Sequence, residues 1–292
     1  MRGDHFAMKV LRPAAAAEAV RLYAAEPGAL LLAGGTDIMV AWNAGRLNGR
    51  TVIDLSRLKE WRSIEATAEG VRIGPLATHA EIESHPVILE RLPLLAQACS
   101  RVGAVQIRNR GTLGGNIANA SPAGDSFPAL AVYEAFVHTL SREGRRSLPI
   151  LDVFAGVKKT TLKSGELIER IDVPFLSKPP ARQVFRKVGS REEQTLSKTV
   201  GAGLLWLGKG GRVSELRFAF GSVAPTVRRL RAAEAFLAGR KLSREAVERA
   251  CELLADDISP IDDVRSTRQY RMIVSKNIFR AFLCKAIAGT QR

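Results

Sequence analysis

The chain has 292 residues, 46% of them hydrophobic and 25% charged, which excludes a disordered tail and supplies apolar surface for two or three packed units. Lys and Arg outnumber Asp and Glu by 44 to 29, a net charge of +15, yet the excess is scattered over Arg142–Arg146, Lys158–Lys163 and Arg228–Arg231. With three Tyr and three Trp there is little to stack bases on, so the charge points less to nucleic acid than to an anionic cofactor or an acidic partner.

At the N-terminus, Asp4, Lys9, Arg12 and Glu18 interrupt the chain before the apolar core of ~7–15 residues of a secretory signal can form. No apolar run approaches the ~20 residues of a membrane helix. The chain is therefore expected in the cytoplasm, without a membrane span. Pro13 opens a helix over Ala14–Ala25 that closes at Pro27-Gly28. A short strand, Leu30–Ala33, runs into Gly34-Gly35; a helix from Thr36 to about Ala44 stops at Gly45; a strand, Thr51–Leu55, follows. This is a βαβ-like unit that presents its loop at a strand's C-terminal end.

From Ser63 to Pro174 the pattern is mixed. Val71–Gly74 reads as a strand, Thr78–Ser84 as a helix capped by Thr78, and Pro93–Val102 as a helix. A glycine-rich loop spans Gly111–Gly115, and Ala129–Val137 and Leu167–Val173 read as strands. Beyond Pro179-Pro180 come antiparallel strands Val184–Lys187, Val200–Leu207 and Val213–Gly221, the last two joined by a turn at Gly208–Gly211. Three helices close the chain. One covers Arg231–Leu237 and ends at Gly239. One begins at Ser243 with Val247, Ala250, Cys251, Leu254 and Ile258 on one face. The last begins at Ser266 with a Ser266–Gln269 capping box and an apolar face of Ile273, Val274, Ile278, Ala281 and Phe282. The expected class is α+β, in three units: 1–60, 61–176 and 177–292.

Chemistry-bearing residues are few. Cys99, Cys251 and Cys284 are widely spaced and read as packing residues, and a [2Fe–2S] cluster needs four thiolates, so the chain holds no standard one alone. His5, His79, His85 and His138 lack metal-ligand spacing; His79, beside Thr78, is placed either near a cofactor or on a helix surface, and the helix surface is the reading preferred. What stands out is a pair of glycine loops. In Leu31-Leu32-Ala33-Gly34-Gly35-Thr36-Asp37, two glycines let the backbone approach an anion and point successive N–H groups at it. Thr36 adds a hydroxyl, and Asp37 either caps the helix or meets a sugar hydroxyl. A plain strand-to-helix turn explains the same residues equally well. The second loop, Ile107 through Thr112-Leu113-Gly114-Gly115-Asn116, repeats the pairing of glycines with small donors. Asp125 follows where a carboxylate serves either ribose or ribityl hydroxyls or a turn. Neither loop is a Gly-x-Gly-x-x-Gly or Walker A sequence.

In order, these pieces resemble the FAD-binding medium subunit of the xanthine dehydrogenase and carbon monoxide dehydrogenase family of molybdenum hydroxylases. The marks are Ala33–Asp37, Ile107-Arg108-Asn109 with Thr112–Asn116, Ala120-Ser121-Pro122 with Asp125, Gly165–Ile168, Phe185–Arg191 and Phe218–Gly221. The resemblance implies a two-subdomain FAD domain of vanillyl-alcohol oxidase (PCMH) type followed by a C-terminal α+β domain. It implies that the glycine pairs hold the pyrophosphate, that Ser121, Asp125 and the backbone at Leu167 and Ile168 line the rest, and that Arg186 or Lys187 approaches the flavin. It also implies a large molybdopterin-binding subunit and a small [2Fe–2S] subunit, as a heterotrimer or its dimer, with NAD+, a quinone or oxygen as acceptor. Two other readings remain open from the residues: a self-sufficient FAD-dependent reductase or oxidase of the same fold, and a basic scaffold or nucleic-acid module.

Overall fold

The computed structural model describes residues 8–289, so Asp4 and His5 lie outside the described residues. The first unit is β1 (Lys9–Leu11), α1 (Ala16–Ala25), β2 (Leu30–Leu32), α2 (Ile38–Asn43) and β3 (Thr51–Asp54). Its strands run parallel in the order β1-β3-β2, the arrangement a βαβ crossover dictates. Ala19, Val20, Ile53, Leu58 and Trp61 form the small core beneath it.

The second unit contains β4 (Ile64–Ala66), β5 (Gly70–Ile73), α3 (His79–Ser84), α4 (Pro86–Arg91), α5 (Pro93–Ser100), α6 (Val105–Arg108), α7 (Leu113–Asn119) and α8 (Phe127–Val132). It continues with β6 (Phe136–Ser141), β7 (Gly144–Pro149), the short pair β8 (Phe154–Gly156) and β9 (Lys159–Thr160), and β10 (Leu167–Pro174). Five of these strands form an antiparallel sheet in the order β4-β5-β10-β6-β7, and their apolar faces pack on α5, α7 and α8.

The third unit is β11 (Arg182–Val188), β12 (Thr199–Leu207), β13 (Val213–Gly221), β14 (Arg228–Arg229), α9 (Arg231–Leu237), α10 (Arg244–Glu252), α11 (Leu254–Asp257) and α12 (Arg268–Gly289). Its four-stranded antiparallel sheet carries the C-terminal helices on one face, around Phe218, Phe279 and Phe282. The other face, through Ala202, Leu204 and Ala219, joins the core of the second unit across α8. Burial on both faces explains why β12 reads as a continuous apolar run. Among the described residues no helix is long and apolar enough to cross a membrane.

Four sequence expectations give way. Ala129–Val137 is not one strand: α8 covers Phe127–Val132, and Glu134, at φ 57°, turns the chain into β6. An apolar run buried on every side carries no period to separate helix from strand, and Pro128 in the first helical turn favours the helix. Gly114 and Gly115 are not loop but the first turn of α7. The cap of α12 is one residue later than read. Thr267 Oγ1 accepts from the Tyr270 N–H (3.1 Å), whereas the Ser266 N–H donates to Asp263. The helix is rotated accordingly: Ile273 and Ala281 are exposed, and Ser275, Phe279, Phe282 and Leu283 face the core.

Candidate functional site

A cleft of about 1180 Å³ lies between the first two units and is rimmed by the third. Pockets for small ligands fall at ~300–1,000 Å³, so this one suits an extended molecule. Leu31, Ala33, Gly34, Gly35, Thr36 and Asp37 line one wall. Ile107, Thr112, Gly114, Gly115, Asn116, Ser121 and Asp125 line another, and Leu167 and Ile168 a third. Three expected site residues stand apart: Leu32, Arg186 and Lys187 do not border the cleft.

The two glycine loops touch. A Cβ on Gly34 would lie 1.8 Å from the Arg110 carbonyl oxygen, so the loops meet there backbone to backbone. Gly114 packs likewise on Pro75, where a Cβ would come within 2.5 Å. Gly35 has φ +78°, which only glycine adopts without strain. Among the described residues the N–H groups of Gly35, Thr36 and Asp37 donate to no backbone carbonyl. Successive unengaged N–H groups of this kind are able to form a concave donor set for an anion. The second loop differs. The Gly114 N–H donates to the Pro75 carbonyl (3.0 Å), and the Gly115 N–H to Thr112 Oγ1 (3.1 Å), the cap of α7. Its donors are engaged within the protein, and its glycines serve close approach.

Asp37 makes no capping hydrogen bond to α2. Its carboxylate instead accepts from Asn119 Nδ2 and Lys158 Nζ, both at 3.3 Å, and Lys158 also donates to Asn119 Oδ1 (2.6 Å). This exposed network ties the first unit to the second across the mouth of the cleft. Asn116 Oδ1 accepts from Ser126 Oγ (2.7 Å).

At the far end Asp125 is nearly buried. Lys187 Nζ reaches it at 2.7 Å, Ser197 Oγ donates to its other oxygen, and the two charged side chains expose only 9% and 6%. Burial pushes the Asp125 carboxyl up, against the pull of Lys187 and Ser197. Lys187 also donates to the Arg101 carbonyl (2.7 Å). Of the two basic residues left open by the sequence, Lys187 points inward to a cleft residue. Arg186 is exposed, beside a smaller cavity shared with Arg101 and Arg191.

Several lining residues escaped the sequence reading: Pro75, Lys158, Glu166, Gln194, Leu196 and Arg265. Glu166 lies inside the Gly165–Ile168 mark and Lys158 in a basic patch, but no local pattern places any of the six at the cleft, because distant segments deliver them. His79 is a correction. It is 1% exposed, not on a helix surface, because α3 lays its first turn against the second glycine loop. Desolvation, with help from the nearby Arg108 charge, pulls its imidazole down to about 4. Above the unfolded pKa near 6.5 both states are neutral there. As the pH falls from 6.5 toward 4, the unfolded chain takes up a proton that the folded one refuses. Stability should then drop by about 1.4 kcal/mol per pH unit, a slope that urea titrations of His79→Leu should lack. Thr78 caps the same helix in a full capping box with Glu81. Thr78→Ala should lower stability by about 1 kcal/mol, visible as a shifted urea midpoint.

Residues 6–176 match the family model described as "FAD binding domain in molybdopterin dehydrogenase", and residues 184–286 that described as "CO dehydrogenase flavoprotein C-terminal domain". The xanthine dehydrogenase FAD-binding subunit of Escherichia coli O157:H7 is 30% identical over 279 residues, 95% of each chain. The carbon monoxide dehydrogenase medium chain of Hydrogenophaga pseudoflava is 31% identical over 264 residues, 89% of this chain and 90% of that one. A solved structure of carbon monoxide dehydrogenase from that organism, lacking the Mo-pyranopterin moiety of its cofactor, superposes with a TM-score of 0.90 at 30% identity. It covers 96% of this chain and 97% of the other.

Proposed function

The chain belongs to the FAD-binding, medium-subunit family of the molybdenum hydroxylases, and on that premise we propose that it is the electron-relay subunit of such a complex. It would receive electrons from [2Fe–2S] clusters on a small partner subunit, while substrate is oxidised on a large molybdopterin-binding partner, and deliver them to NAD+, a quinone or oxygen. The observation that carries this reading is the cleft between the two glycine loops, with unengaged N–H donors at Gly35, Thr36 and Asp37. FAD, when bound, would supply the chemistry that joins the two sides: it can take up electrons one at a time, as one-electron clusters deliver them, and release them singly or as a pair.

The chain's own residues fit that cofactor. The first loop offers its N–H groups to the diphosphate, and Gly34, set against the Arg110 carbonyl, brings the two walls close enough to hold it. Asp125, Ser121 and the backbone at Leu167 and Ile168 line the remainder, with Lys187 holding Asp125 in place. Among the described residues no three His, Cys, Asp or Glu side chains gather to hold a metal ion. The test is to purify the full chain with FAD and mix it with the cognate cluster-bearing subunit, chemically reduced. Bleaching of the flavin absorbance is expected on mixing, and none with the organic substrate alone. Turnover of a substrate by the isolated chain would sink the relay assignment in favour of a self-sufficient enzyme. The net charge of +15 suits acidic partners. Association with the cognate subunits should therefore weaken as salt rises, and salt-insensitive binding would remove that role for the charge.

A further inference from the structure

One polar ring at the cleft has no partner. His79 begins α3, and its backbone N–H donates to the Gly111 carbonyl (3.0 Å). The side chain borders the cleft where the two glycine loops meet. Its Cδ2 lies 3.4 Å from the point a Cβ on Gly111 would occupy, as does Thr36 Oγ1. The residue is 1% exposed, and its Nδ1 is buried with no hydrogen-bond partner among the described residues. Glu83, one turn further along α3, is held by Arg108 at 3.0 Å.

A leucine or phenylalanine would fill this volume without leaving a ring nitrogen unpaired, and an orphaned buried nitrogen is costly. Nor is the ring placed to act as a cation, since Arg108 already supplies positive charge beside it and burial opposes another. What the site retains is a neutral ring at the wall of the cleft, with one buried nitrogen left unpaired by the protein. We propose that His79 is a hydrogen-bonding contact for the bound dinucleotide, made where the two glycine loops meet. This rests on the assignment of the cleft to FAD.

The experiment is FAD binding to the full chain after removal of cofactor, followed by quenching of flavin fluorescence, for wild type, His79→Leu and His79→Asn. His79→Leu should bind at least tenfold more weakly, and His79→Asn should return to within about threefold of wild type, as a restored neutral hydrogen bond requires. Equal affinity of the leucine variant and wild type overturns the contact, and so does an asparagine variant as weak as the leucine one. A wild-type chain that takes up no FAD overturns the cleft assignment instead. Should the leucine variant not fold, 15N-histidine spectra of wild type decide. The ring nitrogens of one of the four histidines should shift on FAD addition, with the signal assigned through His79→Asn. An unmoved His79 signal overturns the proposal.

Discussion

Lys187→Met is expected to cost the fold about 3–5 kcal/mol, because it strands a carboxylate in a site that exposes 9% of it. Lys187 and Asp125 belong to different units, β11 and the turn before α8; of the pair, joined at 2.7 Å, Asp125 lines the cleft and Lys187 holds it from behind. The loss therefore has a local signature. A double variant, Lys187→Met with Asp125→Leu, removes both charges and should recover much of the stability, since the desolvation cost disappears with the pair. Urea denaturation of the two single variants and the double one measures the coupling. Additive losses would mean that the pair is not energetically linked. Lys187→Met should also release FAD more readily than wild type, because Asp125 lines the cofactor cleft and loses the cation that fixes its orientation.

Gly34→Ala is the second large effect. The added methyl carbon would stand 1.8 Å from the Arg110 carbonyl oxygen, a backbone atom that has no rotamer by which to move aside. The two loops must separate, at a cost of about 1–3 kcal/mol for overpacking, and the cleft loses its narrow throat. The purified variant should be colourless where wild type is yellow. Gly35→Ala makes the contrast. Its Cβ would find only the Met39 and Leu32 side chains at 3.3 and 3.4 Å, so its penalty is the φ of +78°, about 1–2 kcal/mol. Flavin should be weakened there but not lost. If Gly34→Ala retained FAD with wild-type affinity, the backbone contact between the loops would not be what shapes the site.

Residues close together in the chain account for what was legible beforehand. Gly34-Gly35 announced a turn and Gly114-Gly115 a close backbone approach, though not the helix they begin; Thr78 and Ser243 announced helix starts that the structure keeps. The strand–helix–strand order from Leu30 to Leu55 was legible as a βαβ-like unit, and β2 and β3 do pair in parallel; β1, three residues long, was not legible. The ordered motifs from Ala33 to Gly221 carried the family, and the family carried FAD. Where periodicity was absent, as over Ala129–Val137, the element type was lost, because burial on all sides leaves no polar face to mark the period.

Tertiary structure decided which of these features share a site and what each does there. The two glycine pairs look alike in sequence, yet one leaves its N–H donors open while the other is tied to Pro75 and Thr112. Lys187 rather than its neighbour Arg186 reaches Asp125, because alternate residues of a strand face opposite ways and only the packing of β11 shows which way is inward. His79 went from an ordinary helical residue to a buried, unpaired one by the approach of a loop thirty-odd residues away. The sequence by itself determined the first glycine turn, the βαβ character of residues 30–55 and the cofactor. The charge partners, the burial and the shape of the cleft were set by contacts between distant segments, whose energies depend on desolvation and neighbours that no local pattern records.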